Sequence, residues 1–97
     1  MSQRLVWDET KRILNIAKHG LDFADAAWVL DSDIRLDVVV ERNGERRTQS
    51  MAYVYDRLRV LAVVHVPCEE VTRIVSFRTA SALEREAYHD WLEEDHA

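Results

Sequence analysis

At Ile34 the spacing of apolar residues changes, from a recurrence every three to four positions upstream to alternation and short apolar runs downstream as far as Thr79. The first period belongs to helices and the second to strands, so this boundary divides the chain into a helical start and a strand-rich middle. "IRLDVVVER" runs into Asn43-Gly44, the strongest short hairpin signal, and "ERRTQSMAYVY" follows with apolar residues alternating after Met51. "RVLAVVHV" is nearly all apolar, as a central strand covered on both faces should be, and "VTRIVSFR" comes after a turn expected at Pro67. Four strands in succession predict an antiparallel four-stranded meander.

Helical signals flank this block. "RLVW" is a short strand candidate, and Asp8 then serves as N-cap for a helix with Ile13, Leu14, Ile16 and Ala17 at helical spacing. Lys18 and His19 fill its last turn, and Gly20 supplies the left-handed residue that stops it. A second helix is expected over about 22–30, turning Phe23, Ala26, Ala27 and Leu30 inward. A last helix, about 80–92, has Ser81 and Glu84 spaced as a capping box and Leu83, Ala87 and Trp91 one turn apart to face the sheet. Helices segregated from a run of antiparallel strands define the α+β class.

With 97 residues, no repeat and no linker, the sequence reads as one domain over 1–97, with 93–97 as a disordered tail. No apolar stretch reaches the roughly 20 residues needed to cross a bilayer and the first residues have no signal-peptide core, so a cytoplasmic protein without membrane contact is expected. The lone Cys68 and scattered histidines give no zinc spacing, so neither metal nor cofactor is expected. Eighteen acids against thirteen bases, a net charge of −5, argue against a globally basic nucleic-acid binder. The acids crowd the last helix, however, while seven arginines lie between positions 42 and 78, which leaves room for a local basic face.

Two segments are more specific than their periodicity. "WDETKRILNIAKHGLDFADA", residues 7–26, and "RIVSFRTASALEREAY", residues 73–88, resemble in order and separation the two signature stretches of the BrnT toxin family. The resemblance implies a compact RelE-like fold and a toxin of a bacterial type II toxin–antitoxin system that cleaves RNA and stops translation. It also implies a neutralising, DNA-binding antitoxin of the BrnA type, with operator DNA met only through that partner and a homodimer within the complex compatible with it. The other reading of such a chain is a catalytically inactive binding module that pairs with its antitoxin in operator binding and autoregulation.

An RNase of this kind needs no metal, because the 2′-hydroxyl attacks its own phosphate once a base takes its proton and cations hold the developing charge. Lys18 and His19 are candidates for proton transfer, although basic residues also suit any helix C-terminus. Arg73 and Arg78 are candidates for holding phosphate. Five positions apart, they point to opposite faces of a regular strand, so both serve one site only if Arg78 has left the strand or a bulge intervenes. A salt bridge from Arg78 to Glu84 or Glu86 is the bland alternative. Tyr88 is a candidate proton donor or base-stacking group and equally a core residue with its hydroxyl at the rim. Arg42, Arg46 and Arg47 flank the Asn-Gly turn, ready for RNA phosphates or antitoxin acids. Ser76 lacks an activating constellation, and His65, inside a central strand, reads as structural.

Overall fold

The computed structural model describes residues 4–95. Strand β1 (Arg4–Val6) leads into helix α1 (Glu9–His19), whose N-cap Asp8 accepts a hydrogen bond from the Lys11 amide. Gly20 ends the helix at φ 70°, the left-handed region where a Cβ is costly. The expected second helix is split into a 3-10 turn, Phe23–Asp25, and a single helical turn α2, Ala27–Leu30. Four strands follow: β2 (Leu36–Arg42), β3 (Glu45–Val54), β4 (Arg59–Cys68) and β5 (Val71–Thr79). Asn43 at φ 53° and Gly44 at φ 78° form the two-residue turn between β2 and β3, as the Asn-Gly pair predicts.

Five strands, rather than four, make the sheet. Its order is β1-β5-β4-β3-β2, and β1 runs parallel to β5, so the sheet is mixed where an antiparallel meander was expected. The extra strand is the short "RLV" run, too brief to be assigned a partner from sequence; the helical segment after it crosses one face and delivers the chain to the opposite edge. Pro67 also departs from expectation. It lies within β4 opposite Thr72, and the turn comes later, with Glu69 at φ 53°.

Side-chain alternation gives β3 and β4 two buried faces. Ala52, Val54, Leu61 and Val63 meet Leu21, Phe23, Ala26 and Val29, while Met51, Val60 and Ala62 meet Tyr88 and half-buried Trp91 and Leu92 of helix α3 (Ala82–Asp95). The Ser81/Glu84 capping box forms at 3.2 and 2.8 Å. The buried side of α3 runs through Glu84, Tyr88, Trp91 and Leu92, so Leu83 and Ala87, expected inward, face solvent. The helix continues to Asp95, past the start of the tail expected at 93; residues 96 and 97 lie outside the described residues.

Helix α1 is attached by polar rather than apolar contacts. Asn15, its buried residue, donates to the carbonyls of Leu21 (2.9 Å) and Phe77 (2.7 Å) and accepts from the Phe77 amide (3.2 Å), so it pairs with β5 as a neighbouring strand would. The apolar residues Ile13, Leu14 and Ile16 stay exposed.

Candidate functional site

Strand β5 carries the feature that builds the site. Val64 pairs with Ser76 but His65 pairs with Ile74, leaving Val75 as an extra residue in a β-bulge. Strict alternation would group Ile74, Ser76 and Arg78 against Arg73, Val75 and Phe77, mixing core and solvent residues on both faces. The bulge resolves the conflict. Ile74 and Phe77, three apart, enter the same core beneath α2, and Arg73, Ser76 and Arg78 share the other face.

On that face α3 covers the half around Met51 and Ala62 and leaves the half toward the Asn43-Gly44 turn open. The open half is a groove of about 420 Å³ lined by Arg42, Arg47, Gln49, Val64, Ser76 and Arg78, among others. Arg78 forks onto Glu84 at 2.6 and 2.8 Å, and Gln49 reaches the same carboxylate at 2.8 Å. The Arg78 fork, with help from the Ser81 amide and Gln49, holds the Glu84 carboxyl down at about 2. At the other end Glu45 bridges Arg47 (2.8 Å) and Arg73 (3.1 Å). Its carboxyl is lowered by hydrogen bonding to Arg47 and by the charges of Arg73, Arg47 and Lys11. Glu45 and Glu84 thus hold the guanidinium groups in place rather than titrate near neutrality, and Arg78 keeps N–H donors beyond its three hydrogen bonds.

His19, at the end of α1, lies close enough to Arg78 to feel its charge, and Lys18 precedes it in sequence. Burial, then the positive charges of Lys18 and Arg78, push the His19 imidazole below its ordinary value. It is therefore neutral at pH 7 and able to accept a proton.

Not all of the candidate residues converge. Arg46 pairs with Glu41 on the opposite side of the sheet from Arg47, because adjacent strand residues alternate. Tyr88 is fully buried; its hydroxyl donates to the Ile34 carbonyl (2.7 Å) and accepts from the Tyr53 amide (3.2 Å), which makes it the clamp between α3 and the sheet and takes it out of the groove. Glu45 and Gln49 belong to the site and were missed, as was Lys11, which acts on it only through its charge on Glu45. Lys11 had a signal, being four positions before Asn15 and seven before Lys18 on one helix; Glu45 and Gln49 share alternation with Arg47.

A second polar cluster lies on the other face of the sheet. The Ser50 hydroxyl is 2.6 Å from Asp37, itself paired with Arg35, and 2.8 Å from His65 Nε2. The hydroxyl has one proton and the carboxylate can only accept it, so His65 Nε2–H must donate to Ser50. Ser50 is consequently not activated as a nucleophile. These residues tie β2, β3 and β4 together, in keeping with a structural His65. Among the described residues no group of three or more His, Cys, Asp and Glu has a metal-holding arrangement, and no helix is long and apolar enough to cross a membrane.

A family model described as "Ribonuclease toxin, BrnT, of type II toxin-antitoxin system" matches residues 7–84, a span that contains α1, the whole sheet from β2 to β5 and Glu84. No curated protein matches the chain.

Proposed function

The chain belongs to the BrnT ribonuclease toxins of type II toxin–antitoxin systems, and on that premise we propose that the open sheet face bearing Arg47, Arg73 and Arg78 binds and cuts RNA. His19, neutral at pH 7, takes the proton of a 2′-hydroxyl. The resulting oxygen attacks the adjacent phosphorus, forming a 2′,3′-cyclic phosphate, and the bond to the 5′-oxygen breaks as that oxygen takes up a proton. Arg73 and Arg78 hold the phosphate while negative charge builds on it, with Lys18 at the edge. No metal is required, and DNA, which lacks the internal nucleophile, is not a substrate. Cleavage in the cytoplasm stops translation, and a BrnA-like antitoxin, the part of the complex that meets operator DNA, neutralises the toxin. The domain is of the RelE-like kind.

The observation that carries this reading is the bulge at Val75, which puts Arg73 and Arg78, five residues apart, on one face of the sheet, with Arg78 lining the groove and close enough to His19 for its charge to lower the imidazole pKa. Purified chain, free of antitoxin and in EDTA, should degrade RNA and leave DNA intact. Production of the chain alone should arrest bacterial growth, and Arg73→Ala should relieve the arrest with an unchanged circular-dichroism spectrum. Soluble wild-type protein that neither cuts RNA nor slows growth refutes the enzyme reading.

One observation favours a second reading. Arg47, Arg73 and Arg78 are already paired with Glu45 and Glu84. A chain that binds its antitoxin and enhances operator binding but cuts nothing uses those pairs as fixed structure, and the same cleavage assay separates the two.

A further inference from the structure

Helix α1 has its amphipathicity turned outward. Its inward side is Arg12, Asn15 and His19, held by the Asn15 hydrogen bonds to β5 and the Arg12 ion pair with Asp22 at 2.8 Å. At about 100° per residue, Thr10, Ile13, Leu14 and Ala17 form the opposite stripe with i, i+3, i+4, i+7 spacing, the pattern with which a helix packs against another helix. All four are exposed, Ile13 at 56% and Leu14 at 63%. An amphipathic helix of a globular domain ordinarily buries such a stripe, and here no part of the described residues covers it.

The charge beside the stripe says which partner. Lys11 and Lys18 are both exposed and lie along one flank, 100° and 80° around from Thr10 by the same helical arithmetic. The Lys11 end of that flank lies toward the arginine-bearing sheet face, since the charge of Lys11 reaches Glu45, which bridges Arg47 and Arg73. A second copy of this chain, docked antiparallel about a two-fold axis, would bring each lysine flank against the other's, where like charges repel.

We propose that the α1 stripe is the docking site of the antitoxin, through an amphipathic helix whose apolar residues cover Ile13, Leu14 and Ala17 and whose acidic flank meets Lys11 and Lys18. The proposal rests on membership of a toxin–antitoxin family and not on the cleavage mechanism. A helix so seated lies along the rim of the groove, so one contact both anchors the antitoxin and blocks access of RNA to Arg73 and Arg78.

The test uses the full chain and the product of the antitoxin reading frame beside its gene. Leu14→Asp and Ile13→Asp exchange exposed residues, so both variants should fold as wild type and keep RNA cleavage; Leu83→Asp, on the exposed side of α3, is the control. Titration calorimetry should show Kd for the antitoxin raised at least tenfold by either α1 variant and unchanged by the control, with wild-type binding weakening as salt rises. Wild-type affinity in both α1 variants overturns the proposal, as does failure of wild type to bind the antitoxin. A wild-type dimer in light scattering that Leu14→Asp splits while antitoxin binding persists assigns the stripe to a second copy and overturns it too. Absence of cleavage by the wild type, with these binding results obtained, counts against the nuclease reading alone.

Discussion

Replacing Asn15 by Ala tests whether one side chain, rather than a hydrophobic contact, holds α1 against the sheet. The substitution removes the donor to the Leu21 and Phe77 carbonyls and the acceptor for the Phe77 amide, leaving three backbone groups without their partner. A buried polar group left unpaired costs about 1–3 kcal/mol, and water entering at the open edge of β5 recovers part of that, so a loss of about 3 kcal/mol is expected. For a domain of this size each kcal/mol lowers Tm by about 4–8 °C, giving a fall of about 12–24 °C by circular dichroism or calorimetry. Asn15→Asp sharpens the test. A carboxylate still accepts from the Phe77 amide but has nothing to donate to the two carbonyls it faces. Its folded pKa is therefore raised, and its destabilisation relative to wild type should be greatest at neutral pH and shrink as pH falls and the carboxyl gains a proton. An Asn15→Ala protein that melts within a few degrees of wild type would refute the reasoning and require another contact to hold α1.

RNA cleavage should fall as pH drops through the His19 pKa, with an acid midpoint below the ordinary imidazole value, and His19→Gln should abolish both the limb and most of the rate; a midpoint unchanged in the variant removes His19 from proton transfer. Glu84→Gln should destabilise the protein at pH 7 by roughly 2 kcal/mol, because the carboxyl lies at about 2 instead of 4.5 when folded, a stabilisation present above 4.5 and lost as pH falls toward 2. Chemical denaturation across that range should show the two proteins converging at the acid end. Arg47→Ala should reduce the slope of log binding constant against log salt for single-stranded RNA by about one, whereas Arg46→Ala, on the other face, should leave it unchanged; equal effects of both would show that the groove does not define the RNA path.

Local chemistry determined much of this protein by itself. Asp8, Gly20, the Asn43-Gly44 turn and the Ser81/Glu84 box act through neighbours within four residues, so their roles are written in short strings. The two-sided burial of β4 is legible for the same reason, since an apolar run without alternation fits only the middle of a sheet. The family resemblance likewise rests on letters at fixed spacing and agrees with the family match. What needed the tertiary structure is whatever depends on a partner distant in sequence. The place of β1 beside β5 joins residues 4–6 to 71–73, and no local pattern names that neighbour. The outward turn of Ile13 and Leu14 follows from Asn15 finding the free backbone of Phe77, 62 residues away, which decides the helix's rotation against its own apolar stripe. Tyr88 was a candidate by its residue type and Arg46 by its place beside the Asn-Gly turn; the long-range hydroxyl contact with Ile34 and the two-residue period of β3 remove them from the groove. The Val75 bulge stands between the two cases. Its trace is present in "RIVSFR", where only an extra residue sends both apolar core positions one way and both arginines the other, yet an unbulged strand is the cheaper local choice. The demand of the core for Ile74 and Phe77 together tips the balance, and the shared face of Arg73 and Arg78 is its consequence.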